Sequence, residues 1–342
     1  MLLVYRLQNY TTHSVRLFDL LKKLKRKVII SVVIAGVLYL AFTIYADFDN
    51  VIDAFGKFNL LLIPVLLLLS FLNYLSRFIK WDYYLSVVKV KISKYDSFST
   101  FMSGLIMSVT PAKLGELLKS VLVKEITGEP ISKTAPIIFA ERITDFLSLL
   151  LIAITGAFAF DYGGDITLII AVIFIVIIII ISNKKIALTI INLFEKIPLL
   201  KKYLHNIHSA YESSYKLLKL KPLLLMTLLS LFSWSFECYG YYLVLSNFRV
   251  DVGFLWASFS YSFSTIVGAL SMLPGGLGLT EGSLTFLLVQ KNIPVDVSVA
   301  TTFIIRVMTL WFAVLVGIIS LTMYQKRFAN LTIVANEDKI TD

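Results

Sequence analysis

The sequence predicts an all-α polytopic membrane protein with six full spans and two re-entrant helical hairpins, or eight to ten spans where the hairpins cross completely. Three observations support this. Of the 342 residues, 58% are hydrophobic and only 16% charged, whereas a soluble chain is about half apolar and about a quarter charged. The excess is gathered into long uncharged runs such as 28–46 and 166–182, each able to cover most or all of a roughly 30 Å hydrocarbon core as a helix. Two further apolar stretches, 98–123 and 261–289, are broken by a proline and then carry a glutamate.

The first run follows the basic stretch "KKLKRK" at 22–27. Its long lead-in, its length and the lack of a small-x-small cleavage site favour a retained span over a cleaved signal. Further spans are expected at 60–80, 134–160, 166–182, 222–245 and 298–322. Between the second and third lies "FSTFMSGLIMSVTPAKLGELLKSVLV"; between the fifth and sixth lies "YSFSTIVGALSMLPGGLGLTEGSLTFLLV". The arms of the first, about 14 residues each, are too short to cross as ordinary helices. Irregular backbone at membrane depth persists only where protein or a water-filled cavity surrounds it. Residues 183–221 mix lysines with apolar residues and suit an amphipathic segment on the cytoplasmic leaflet. No stretch outside the spans is long enough to bury a core of its own, so one membrane domain over 1–342 is expected.

The net charge of +10 follows topology more than nucleic acid. Segments 1–27, 77–133, 183–221 and 325–342 hold 27 of the 32 lysines and arginines. Segments 47–59, 161–165, 246–253 and 290–297 hold Lys57, Arg249 and Lys291, and Arg142 and Arg306 fall within spans. The positive-inside rule then places both termini in the cytoplasm, in a cell-membrane protein that binds no nucleic acid. Cys238 is the one cysteine, which excludes intrachain disulfides.

The two broken segments belong to similar halves. Ser108 and Ser271 each precede the break proline, Pro111 or Pro274, by three residues. Leu114-Gly115 matches Leu277-Gly278, with Glu116 and Glu281 following. Arg142 lies 26 residues beyond Glu116, and Arg306 lies 25 beyond Glu281. Upstream, Pro64 and "YYL" (83–85) match Pro222 and "YYL" (241–243) at an offset of 158. Two repeats, 60–160 and 222–322, separated by one span, would be inverted with respect to each other, an architecture recurrent in transporters.

Ionisable groups inside spans cost about 2.5–3.5 kcal/mol each on insertion scales and face the protein interior. Glu116, Arg142, Glu281 and Arg306 are such groups, and Glu141 and Asp145 share a helix face with one turn between them. Two readings stand. The four residues form internal ion pairs that lock hairpin to span, or the arginines and the helix starts after each break bind an anionic group. On the second reading, Gly275, Gly276 and Gly278 let a ligand approach backbone N–H groups. No nucleotide fingerprint, P-loop or catalytic triad is present in the sequence, and His205, His208 and Glu212, which could share a helix face, read as a solvated surface and not a metal site.

At "TPAKLGELLKSVLV", "ERITDFLSLL" and "LPGGLGLTEGSLTFLL" the chain resembles the flippase-like membrane region of the lysylphosphatidylglycerol synthase family, over about residues 25–325. The resemblance implies movement of an anionic lipid, a phospholipid or a polyprenyl-phosphate-linked carrier, between leaflets without a cofactor. A stand-alone member is expected, without the soluble aminoacyltransferase domain of the synthases or the glycosyltransferase domain of some archaeal relatives. A lipid synthase or glycosyltransferase is the implied protein partner. Lys113 stands where relatives often have glycine or arginine. An intramembrane enzyme acting on a lipid-linked phosphate, with Glu116 or Glu281 as base, and a scaffold for a lipid synthase are the alternatives.

Overall fold

The computed structural model describes residues 29–44, 46–110, 115–160 and 204–337, with Leu168, Ile169 and Val172. The N-terminal segment 1–27, most of the expected span 166–182, the first part of the 183–221 connection, and Pro111 with the following 112–114 lie outside the described residues. Every described element is helical. Helix α1 (Ile29–Ile44) meets α2 (Phe48–Gly56) at a bend of 101°. Then come α3 (Leu62–Val87), α4 (Lys94–Gly104) prolonged by a tight turn at Leu105–Val109, α5 (Leu118–Thr127) and α6 (Ile131–Phe160). Helix α7 (Leu204–Leu217) precedes α8 (Leu220–Asn247), α9 (Phe254–Leu270), α10 (Leu279–Gln290) and α11 (Val295–Arg306). A π turn at Val307–Trp311 joins α11 to α12 (Phe312–Glu337).

Among the described residues, α3, α8 and the run Val295–Tyr324 are long and apolar enough to cross a membrane, and the bent α1–α2 pair makes a fourth when counted as one. Their amphipathicity is inside out. On α3 the buried residues Ser70, Asn73, Arg77 and Lys80 form one stripe, while Leu68, Phe71, Leu75 and Ile79 are exposed on the other. Helix α8 buries Ser230, Ser233 and Glu237 and exposes Leu224, Leu228 and Phe232. In water this pattern would be costly, whereas in lipid it keeps polar groups with protein and aliphatic groups with acyl chains.

The order long helix, short arm, break, short arm, long helix occurs twice, as α3–α6 and as α8–α12. The loop after α3 fixes the register. Val90 N–H donates to Leu85 O and Lys89 N–H to Ser86 O; Val250 N–H donates to Leu245 O and Arg249 N–H to Ser246 O. Both are Schellman closures, with Lys89 at φ 57° and Arg249 at φ 56° in the left-handed region. The offset here is 160, carried by "LSVVKV" (85–90) against "LSNFRV" (245–250). The 158 offset of "YYL" therefore does not hold at this end of the helices, because α8 is two residues longer than α3. Beyond the breaks the offset is 164, set by Pro130, Phe139 and Arg142 against Pro294, Phe303 and Arg306.

Helices α3 and α8 run antiparallel, since Phe58 stacks near Phe248 at one end and Lys80 reaches Ser230 at the other. Midway, Asn73 Nδ2 donates to Ser233 O at 2.8 Å, and these two positions are 160 apart. A contact between equivalent residues of antiparallel helices lies on a two-fold axis perpendicular to both. Contacts elsewhere recur in the same sense. Ser320 Oγ on α12 donates to Ser99 O on α4 at 3.1 Å. Gly156 on α6 lies so close to Phe259 on α9 that a Cβ there would be 2.3 Å from the Phe259 Cβ. Positions 156 and 320 differ by 164, and 99 and 259 by 160.

Candidate functional site

A cavity of about 430 Å³ lies where the two breaks approach each other. It is walled by α3 (Tyr74, Arg77), α6 (Phe139, Arg142, Asp145, Phe146), α8 (Trp234, Glu237), α9 and the second break (Gly275, Gly276), with Arg306, Thr309 and Leu310 below. Ser108, from the first break, completes it. Of the residues the sequence singles out, Arg142, Arg306, Asp145, Ser108, Gly275 and Gly276 therefore converge on one space. Glu116, Glu141, Glu281, Gly278, Ser271 and Pro274 are not among its walls.

The glutamates sit behind the arginines. In the second half, Arg306 Nε donates to Glu281 Oε1 at 2.6 Å and Nη2 donates to Gly275 O at 2.6 Å. Glu281 Oε2 accepts from Gly278 N–H at 2.7 Å, closing the first turn of α10. Tyr39 Oη, itself an acceptor from Trp311 Nε1 at 3.0 Å, lies 3.5 Å from Glu281 Oε1. Glu281 thus takes up the N-cap N–H and supplies a negative charge where the dipole of α10 favours one.

The first half holds a larger network. Arg142 Nη2 is 3.3 Å from both Glu116 Oε2 and Asp145 Oδ2. Glu141, fully buried, is held by Lys119 Nζ at 2.5 Å, and Lys119 also lies 3.5 Å from Glu116. Asp145 is bound by Lys80, and Arg77 stands 3.9 Å from its other oxygen. Lys80 Nζ also donates to Ser230 Oγ at 2.7 Å, tying the network to α8. Lys119 lies 4.8 Å from the Trp81 ring and 5.1 Å from that of Phe101, so its charge is held by π faces as well as by carboxylates. Gly104 makes room for it, since a Cβ there would come within 2.5 Å of the Lys119 stem.

Three of these cations, Arg77, Lys80 and Lys119, are counted by charge with the inside segment 77–133, although 60–80 is an expected span and 98–123 a broken segment; all three are buried in the helices. Helical spacing with Asn73 and Tyr84 was the available signal for Arg77 and Lys80. Glu237 was also missed. It occupies the α8 position equivalent to Arg77 and accepts from Tyr261 Oη at 2.6 Å.

The glycines are placed differently from one another. Gly275 and Gly276 have φ of 61° and 68°, and a Cβ on Gly276 would meet Thr280 Oγ1 at 2.5 Å and Gly268 Cα at 3.1 Å. They turn the chain and let the two arms touch while bordering the cavity. Gly278 faces Leu38 of α1 and gives no ligand access to the cavity. Ser271 Oγ donates to Gly268 O and accepts from Leu273 N–H, so it serves the turn.

The family profile described as "Lysylphosphatidylglycerol synthase TM region" matches residues 28–317. UPF0104 membrane protein MJ1078 of Methanocaldococcus jannaschii is 30% identical over 225 residues, 63% of this chain and 92% of the relative. A UPF0104 membrane protein of Methanothermobacter thermautotrophicus is 24% identical over 229 residues, 61% of this chain and 68% of its own. A third, PH1989 of Pyrococcus horikoshii, is 22% identical over 317 residues, 84% of this chain and 94% of its own.

Proposed function

The chain belongs to the lysylphosphatidylglycerol synthase transmembrane-region family as a multi-pass membrane protein, and from that premise we propose that it carries an anionic lipid between leaflets. One observation supports this above the others: Arg142 and Arg306, equivalent in the two halves, face the same cavity between the two breaks. Guanidinium groups in a largely apolar enclosure suit a phosphate or phosphodiester, Arg142 through hydrogen bonding and Arg306, whose Nε and Nη2 are bound by Glu281 and Gly275, through its charge. The equivalent contacts of α3 with α8, and of α6 with α9 and α12 with α4, suit an inverted repeat of 60–160 and 222–322 rocking about a central site. The protein then lies in the cell membrane with both termini cytoplasmic, a placement favoured by the bias of loop lysines and arginines that remains once Arg77, Lys80 and Lys119 are set aside. A lipid synthase or glycosyltransferase is the class of partner that would supply the cargo.

A role for Glu281 as general base fits poorly, because its oxygens already accept from Arg306 and Gly278. The carrier reading is tested by reconstitution in vesicles with a labelled anionic phospholipid. Leaflet exchange is expected with the wild-type chain and its loss in Arg142→Ala combined with Arg306→Ala. Exchange that persists in a folded double variant would remove the arginines from the transport site.

A further inference from the structure

The cavity also shows the direction from which a lipid would reach it, an inference that rests on the carrier reading. Of the residues that wall it, those that are exposed are Phe139, Ala269, Met272 and Leu273. All four are apolar, with Met272 67% and Phe139 45% exposed. A mouth built for an ion from water would present polar groups at its rim. A rim of phenylalanine, methionine and leucine on a protein whose long helices expose aliphatic side chains opens instead toward acyl chains.

The far wall carries Arg77 and Arg142 beside the carboxylates Asp145 and Glu237, and its ion pairs are loosely bonded. Arg142 Nη2 has carboxylate oxygens of Glu116 and Asp145 at 3.3 Å, yet neither Nη2 nor Nε has an acceptor in hydrogen-bonding geometry. The Nε of Arg77 also lacks one, although Arg77 is 7% exposed and its ion-pair partner stands 3.9 Å away. Those donors are sealed from the cavity, but of the three arginines that wall it Arg142 has the most accessible side chain, 25% exposed against 9% for Arg77 and 10% for Arg306, and an entering oxyanion meets it first. Arg306 differs, because its Nε and Nη2 are committed to Glu281 and Gly275 at 2.6 Å.

We propose that the cavity is a one-lipid site loaded sideways from the hydrocarbon, with the phosphate on Arg142 and Arg77 and an acyl chain leaving across Phe139, Met272 and Leu273. The rim and the guanidinium groups border one continuous space, so one amphiphile can satisfy both. The aromatic walls, Tyr74 and Trp234 at equivalent positions of α3 and α8, enclose the region between them.

The test uses the full chain in phosphatidylcholine vesicles containing phosphatidylglycerol with a photoactivatable group at the end of an acyl chain. After illumination, adducts are expected on peptides bearing Phe139, Met272 and Leu273. Unlabelled phosphatidylglycerol should lower them several-fold, and free glycerol phosphate should not. Leu228, 62% exposed on the lipid side of α8, reports bulk lipid and should not respond to the competitor. Arg142→Gln and Arg77→Gln should each lower rim labelling relative to Leu228. The competition in unaltered protein decides the matter even where these variants disturb the buried network. Rim labelling that follows Leu228, or competition by glycerol phosphate as strong as by the lipid, would overturn the sideways site. Leaflet exchange is measured in the same vesicles. Exchange without rim-specific labelling overturns the sideways site and leaves the carrier reading standing, whereas rim-specific labelling without exchange supports the site and overturns the carrier.

Discussion

Glu281 holds Arg306 with one carboxylate oxygen and caps its own helix with the other: Arg306 Nε lies 2.6 Å from Oε1 and Gly278 N 2.7 Å from Oε2. The carboxylate thus joins α11 to the tip of the second break while completing the first turn of α10. Removing one partner of a buried pair costs about 3–5 kcal/mol, because the other charge is left uncompensated. Glu281→Ala should lose about that much, read from unfolding of the protein in detergent. Glu281→Gln keeps an oxygen able to accept from Gly278 N–H and should lose less. Equal losses for the two would deny the capping role.

Lys119 makes a corresponding prediction in the first half. It is buried at 2% exposure between Glu141, Glu116 and the Trp81 face. Lys119→Ala leaves Glu141 buried without its cation and should cost about 3–5 kcal/mol. Lys119→Met with Glu141→Leu removes both charges while keeping volume, and buried pairs so replaced are often neutral or better. Unfolding midpoints should therefore rank the double variant above Lys119→Ala. The reverse order would mean that Glu116 and Glu141 do not depend on this lysine.

The fold class and the two arginine–glutamate pairs were legible in the sequence because each leaves a local mark. Hydropathy exposes long apolar runs, and Pro274, Glu281 and Arg306 stand out within them. The register was not legible from "YYL", since apolar helices align at many offsets and α8 carries two extra residues. Arg77 and Lys80 were missed because a cation near a span boundary reads as a loop cation, and Lys119 because a lysine three residues after Glu116 reads as its local helix partner. Their burial depends on Asp145, Glu141 and Ser230, which are distant in sequence. Gly276 was recognised as special, but its work depends on Gly268 and Thr280 across the hairpin, which no spacing rule names.

That hairpin contact is itself testable. A Cβ on Gly268 would lie 1.9 Å from Thr280 Oγ1 and 3.4 Å from Gly276 Cα. Overpacking of this kind costs about 1–3 kcal/mol. Gly268→Ala should lose stability in that range, and Thr280→Ala in the same chain should recover part of it by removing the clashing oxygen. The coupling in the resulting double-mutant cycle should exceed the roughly 0.3–0.5 kcal/mol scatter of independent sites. A coupling within that scatter would mean that the two arms of the second break do not press together at this point.

The twin turns after α3 and α8 allow a prediction about the repeat that is independent of transport. Lys89 and Arg249 occupy the same left-handed position of two Schellman closures, at φ 57° and 56°. A residue with a Cβ pays roughly 1–2 kcal/mol there, and glycine does not. Glycine returns about 0.5–1 kcal/mol of that through the freedom it adds to the unfolded chain. Lys89→Gly and Arg249→Gly should each therefore stabilise the protein by a few tenths to about 1 kcal/mol, measured as a rise in unfolding midpoint. The turns lie at opposite ends of the antiparallel α3–α8 pair, so the gains should add. Asn292, at φ 60° after α10, is a residue type that tolerates this region, so Asn292→Gly should gain less. A gain at one of the twin turns and a loss at the other would show that the two closures are not energetically equivalent.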